Sequence, residues 1–144
     1  MTAFGEEAHD LRQLSYRRRL GVRIAIGVAF FLARRSPAQM RAVFTLLRKG
    51  ARAASYGEAR QAREAVVTRS LICESRRGCL PRSIAAALVC RLGGTWPTWC
   101  VGVGTAPPFG AHAWIEADGR MVEEEEPSSH YRKLITIGPL GEKR

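Results

Sequence analysis

The sequence predicts an α+β domain: a helical front half, one further helix, and then a small antiparallel sheet. Three observations carry this. Up to about residue 71 the apolar positions recur at helical three-four spacing. Residues 81–92 keep that spacing at Ile84, Ala85, Leu88, Val89 and Leu92. Beyond Gly93-Gly94 the chain switches to β-branched and aromatic residues, punctuated by Pro107-Pro108 and Asp118-Gly119. A length of 144 residues suits one domain with a sizeable core. It divides into a helical subregion, 1–72, and a catalytic core, 73–144.

Taken in order, residues 11–35 read as one or two helices. Within them Ile24 to Ala33 form ten apolar residues between arginine clusters. A membrane span needs about 20, so a buried or partner-docking helix is expected, with no span. Ser36-Pro37 is a helix start, Ser36 as N-cap and Pro37 at the first helical position. Met40, Val43, Phe44 and Leu47 then share one face, and Gly50 ends the helix. Residues 58–71 form another amphipathic helix with a thin stripe, broken by Arg76-Arg77-Gly78. The helix after Gly78 has Pro81 in its first turn, where the missing N–H costs nothing. Residues 96–103 read as a strand, 105–110 as a loop, Ala111–Ala117 as a second strand and 120–124 as its return. Asp118-Gly119 is the hairpin turn. Residues 134–137 form a short edge strand.

Net charge is +10, and 20 of the 23 basic residues are arginine. Such a surface attracts anionic partners. The basic residues are not interleaved with aromatics, and no helix-turn-helix, zinc-finger or RNP pattern occurs, so no nucleic acid is expected. Cys73, Cys79, Cys90 and Cys100 form no C-x-x-C pair, and no histidine lies at zinc-ligand spacing. No metal or cofactor is therefore expected. Residues 1–10 hold acidic groups and no apolar run, unlike a secretory signal. A cytoplasmic protein with reduced thiols is expected.

The chemistry concentrates between Gly78 and Glu126. Cys79 stands at a helix start, where unpaired N–H groups and the helix dipole favour a thiolate. The same N–H groups can hold an oxyanion. Cys90 sits inside the apolar helical stretch and reads as a small buried hydrophobe. His112 begins a strand, whereas His9 and His130 lie in polar segments. Cysteine, histidine and then acid is the set a thiol nucleophile with an oriented base requires. The acid follows from hairpin register. A three-residue turn pairs Glu116 with Arg120 and sets His112 opposite Glu124. A two-residue turn sets His112 opposite Glu125 and turns Glu124 to the other face. Glu124 is the first choice and Glu125 the next. Asp118 is roughly 20 Å from His112 along the strand and cannot orient its ring.

Gly78-Cys79-Leu80-Pro81-Arg82-Ser83, followed by His112-Ala113-Trp114-Ile115-Glu116 and Asp118-Gly119, resembles the transglutaminase-like leader peptidases of lasso-peptide biosynthesis. The resemblance covers about the last 70 residues closely. It implies a papain/transglutaminase-like core, with a cysteine-bearing helix packed on a sheet that carries the histidine and acid. It also implies a triad of Cys79, His112 and an acid at the position of Glu124, where the family is usually described with aspartate. The implied activity is leader removal from a ribosomally made precursor peptide. The implied partners are that precursor, a small leader-recognition protein and a separate lasso cyclase. Two other readings stand beside it. One is an acyltransferase with the same three residues. The other is a non-enzymatic basic adaptor that binds nucleic acid or an acidic partner through its arginines.

Overall fold

The fold was analysed as a computed structural model, which describes residues 2–70, 73, 78–107, 109–124 and 128–140, with side chains from residue 16 onward. The elements run α1 (Thr2–Leu32), α2 (Pro37–Leu47), β1 (Arg52–Ala53), α3 (Tyr56–Val67), α4 (Cys79–Leu92), β2 (Thr95–Trp96), β3 (Thr98–Gly104), β4 (Ala111–Ala117), β5 (Arg120–Met121) and β6 (Tyr131–Ile137). The chain is thus α+β, with its helices first and a four-stranded antiparallel sheet after them.

Of the one or two helices expected over residues 11–35, the chain forms one, the continuous α1. It buries Val22, Ala25, Ala29 and Leu32, at helical spacing, and leaves Ile24, Val28 and Phe31 exposed. The apolar run is therefore half core and half surface. Ser36 caps α2 and Ser55 caps α3, each in a capping box whose partner, Gln39 or Glu58, reaches back to the cap's own N–H. The break expected at Arg76-Arg77 lies outside the described residues.

Helix α4 is the centre of the molecule. Its Ile84, Ala85, Ala86 and Ala87 have no exposed surface, and α1, α3 and β4 pack around it. Small side chains let three neighbours approach at once. The core cluster runs from Val22 to Ile137 and draws on both sides of residue 72. Among the described residues, no helix is long and apolar enough to cross a membrane.

The sheet order is β5-β4-β3-β6. The strand expected over 96–103 is interrupted at Pro97, which cannot donate to a ladder. Thr95–Trp96 instead pairs in parallel with β1, a contact that no local pattern in the sequence announces. Trp96 and Trp99 are buried, and Phe44 meets both edge-to-face, with ring centroids 5.2 and 4.7 Å away. The Trp99 indole N–H donates to Ser83 Oγ at 3.0 Å, tying β3 to α4. Residues 134–137 belong to the longer edge strand β6.

Gly102 is needed for a close approach. A Cβ there would stand 2.7 Å from the Arg132 carbonyl oxygen and 2.9 Å from the Trp114 ring. Gly102→Ala is expected to cost roughly 1–3 kcal/mol. The measurement is a lower urea midpoint at unchanged slope, and an unchanged midpoint would disprove the packing argument.

Candidate active site

Cys79 is the first residue of α4. Gly78 precedes it and supplies no side-chain cap, so the first N–H groups of the helix have no side-chain acceptor there. The helix end meets the sheet beside β4. Strand β5 is only two residues long and pairs with Glu116 and Ala117. Among the described residues, no strand covers residues 111–114 of β4 on that side. At this open edge the His112 ring and the Ala113 backbone lie close enough to the Cys79 thiol to lower its ionisation.

The His112 ring uses its other side as well. Its Nε2 lies 2.9 Å from Glu124 Oε2, which leaves Nδ1 as the nitrogen for the thiol. Tyr131 and Trp114 stack with the ring, at centroid distances of 5.1 and 5.8 Å. The Trp114 indole donates to Glu116 at 2.8 Å, and Glu116 pairs with Lys133. The imidazole is thus fixed in its plane by aromatics and along its axis by a carboxylate.

Glu124 reaches His112 by a route the register argument did not contain. The turn is the two-residue form, with Ala117 opposite Arg120 and Glu116 opposite Met121. Asp118 and Gly119 both have positive φ, 52° and 73°, as a type I′ turn requires. That register would carry Glu124 to the wrong face. The return strand expected over 120–124 stops at Met121 instead. Val122 still donates to the Ile115 carbonyl at 3.0 Å, and the chain then turns at Glu123, whose φ is 51°. The left-handed residue redirects Glu124 to the imidazole. Two helices hold this bend. Arg60 of α3 meets Glu123 at 3.2 Å, and Arg82 of α4 meets Glu124 at 3.9 Å. Glu125, the other candidate, lies outside the described residues. Asp118 plays a separate, structural part. Its carboxylate accepts the N–H of Tyr56 at 2.8 Å and clamps the turn to the start of α3.

Electrostatics separate Cys79 from its fellow cysteines. Burial alone would push the Cys79 thiol up. The His112 and Ala113 hydrogen bonds, with the positive charges of His112 and Arg82, outweigh it and hold the thiol below its ordinary value. Burial pushes Cys90 and Cys100 up to about 12. Cys73 is buried, whereas Cys79 is partly exposed. His112 is raised to about 9, first by its bond to Cys79 and then by Glu124, against the effect of burial. A thiolate beside an imidazolium is the arrangement these shifts favour. It can attack an electrophilic carbon and return a proton to a leaving group.

A sequence-family model described as the transglutaminase-like superfamily matches residues 22–136. The chain belongs to the transglutaminase-like superfamily. No curated protein and no solved structure matches it. Enzymes of the transglutaminase-like superfamily are typically of the cysteine type. The match includes Cys79, His112 and Glu124 and begins inside α1, so the transglutaminase-like region takes in most of the front half as well.

Sequence reasoning missed Arg82 and Tyr131. Arg82 could have been found, since it follows Cys79 by three residues and therefore shares its face of the helix. Tyr131 could not, because its place beside His112 depends on β6 crossing to pair with β3. Among the described residues, no group of three or more His, Cys, Asp or Glu converges as metal ligands. A cavity of about 470 Å³ opens between α1, α3 and α4, lined by Arg17, Val22, Ala62, Cys90 and Leu92 among others. It lies at the far end of α4, roughly 15–20 Å along the helix from Cys79.

Proposed function

We propose that this chain is a cysteine peptidase that removes the leader from a lasso-peptide precursor and delivers the core peptide to a separate macrocyclase. What supports the catalytic part is the 2.9 Å contact of the His112 imidazole with Glu124, together with the lowering of the Cys79 thiol by His112 at the N-terminus of α4. The substrate assignment rests on the C-L-P-R-S and H-A-W-x-E motifs and their resemblance to the leader peptidases.

In this reading His112 holds the thiol proton and Cys79 attacks the leader–core carbonyl as the thiolate. The tetrahedral oxyanion forms beside the Cys79 N–H at the uncapped helix end. The His112 imidazolium then protonates the leaving amine, which departs with the core peptide, and the leader remains as a thioester on Cys79. Neutral His112 next takes a proton from water, the hydroxide adds to the thioester, and the Cys79 thiolate leaves, which frees the leader as its carboxyl form and restores the thiolate–imidazolium pair. Glu124 fixes the imidazole tautomer throughout. The precursor, a small leader-recognition protein and the cyclase are the proposed partners. The exposed row of Ile24, Val28 and Phe31, with Arg23, Arg34 and Arg35 beside it, is the surface we assign to docking.

A second reading, acyl transfer to an amine, shares the thioester and is favoured by the superfamily itself. One experiment tests both. Precursor, recognition protein and this chain are incubated, and the products are weighed by mass spectrometry. Peptidase action gives two fragments whose masses sum to the precursor plus one water. A product joined to an added amine without that water would favour transfer, and an intact precursor would count against both.

A further inference from the structure

Arg82 is the motif residue whose charge acts on the thiol but which takes no step in the reaction above. It is buried, with 7% of its surface exposed, although burying a guanidinium is costly unless the charge is used. Cys79 and Arg82 are three residues apart on α4 and so lie on one face, about a turn apart. Arg82 Nη1 donates to the Cys73 carbonyl at 3.1 Å. Its Nη2 is 3.9 Å from Glu124 Oε1, while Oε2 of the same carboxylate lies 2.9 Å from His112 Nε2. One turn of helix therefore supports both ends of the chain of contacts, the thiol directly and the carboxylate through the guanidinium.

We propose that Arg82 is a positioning residue that holds the Glu124 carboxylate against His112 and so keeps the imidazole aimed at Cys79. The proposal rests on the Cys79–His112 reading above and adds the group that sets its acid. A carboxylate held at one oxygen can rotate about its last bond, and an ion pair at the other oxygen opposes that rotation. The bend that brings Glu124 to the site contains a left-handed non-glycine residue, Glu123. Such a backbone persists when its surroundings hold it, here Arg60 outside and Arg82 inside. Among the described residues, other groups lie near this carboxylate or the ring it holds. Arg63 of α3 is half-buried near Glu123 and Glu124, and its basicity is lowered by burial and by the charge of Arg82. Tyr131 of β6 stacks on His112, and Glu116 is occupied with Trp114 and Lys133.

The test reads the thiolate directly and needs no substrate. Iodoacetamide alkylation of Cys79 is followed by peptide mass spectrometry from pH 5 to 10 in the full chain, in Arg82→Gln, Arg82→Lys and Glu124→Gln, and in the Arg82→Gln/Glu124→Gln double variant. Circular dichroism checks each fold. Arg82→Gln is expected to slow alkylation at pH 6.5 roughly tenfold, because a loosened Glu124 weakens the imidazolium that lowers the thiol and the smaller direct effect of the Arg82 charge is lost with it. Arg82→Lys keeps the buried cation without the fork and is expected to fall between, which keeps the question open to test if the glutamine variant does not fold. The double variant is expected to fall short of the sum of the two single effects, because both residues share the Glu124–His112 route while the Arg82 charge adds a smaller direct effect on the thiol. An acid limb shared by wild type, Arg82→Gln and Arg82→Lys overturns the assignment. Fully additive effects in the double variant also overturn it, since Arg82 would then act on the thiol through its charge alone. An ordinary thiol limb in the wild-type protein overturns the Cys79–His112 reading itself, a result distinguishable from both.

Discussion

In the proposed reaction, Cys79→Ala is expected to abolish leader removal, with a loss on the order of 10⁴-fold or more that leaves only uncatalysed cleavage. The thiol is the only nucleophile proposed here, and no other cysteine can stand in for it. Cys90 and Cys100 are buried with their thiols pushed up to about 12, so almost none of either is thiolate at neutral pH. Cys73 has no exposed surface. Since Cys79 is partly exposed, its truncation is expected to leave the thermal unfolding midpoint within a few degrees of wild type. The check is precursor mass after overnight incubation, beside circular dichroism of the variant. A variant that still separates leader from core would remove Cys79 from the mechanism.

His112→Ala is expected to have the next largest effect, roughly 10³-fold or more on turnover. It should also change the pH dependence in a stated direction. In the wild type the thiol is held low and the imidazole is raised to about 9. The reactive pair exists above the first ionisation and below the second. Activity should therefore rise on the acid side of an ordinary thiol's range and fall as pH passes through about 9, where His112 loses its proton. The two limbs belong to the coupled pair and to neither residue alone. Removing His112 deletes the hydrogen bond and charge that lower the thiol and leaves burial, which raises it. The acid limb should move up in pH and alkylation at pH 7 should slow sharply. An alkylation profile unchanged by His112→Ala would show that the imidazole does not serve this thiol.

Much of the scaffold was readable because it follows from local rules. Ser36-Pro37 starts a helix, Gly93-Gly94 follows the end of one, and Ala111–Ala117 is a strand with a two-residue turn signal after it. The motif around Cys79 reads as a helix start for the same reason. Glu124 is the instructive case. The residue named from the sequence is the one beside His112, yet the register used to choose it does not occur. The turn is the shorter form, and a backbone reversal at Glu123 restores what that turn would have taken away. Strand counting assumes the ladder continues, and here it ends after two pairs.

From the order of its residues alone, this chain determines where helices begin and end, which cysteine lies at a helix start, and which histidine opens a strand. These depend on capping, spacing and turn chemistry within a few residues. Tertiary structure decided that β1 pairs with β2, that Tyr131 stacks on the imidazole, and that two arginines from different helices pull an acidic bend toward it. Those contacts join residues far apart in sequence, and their geometry exists only once α4 is buried among its neighbours.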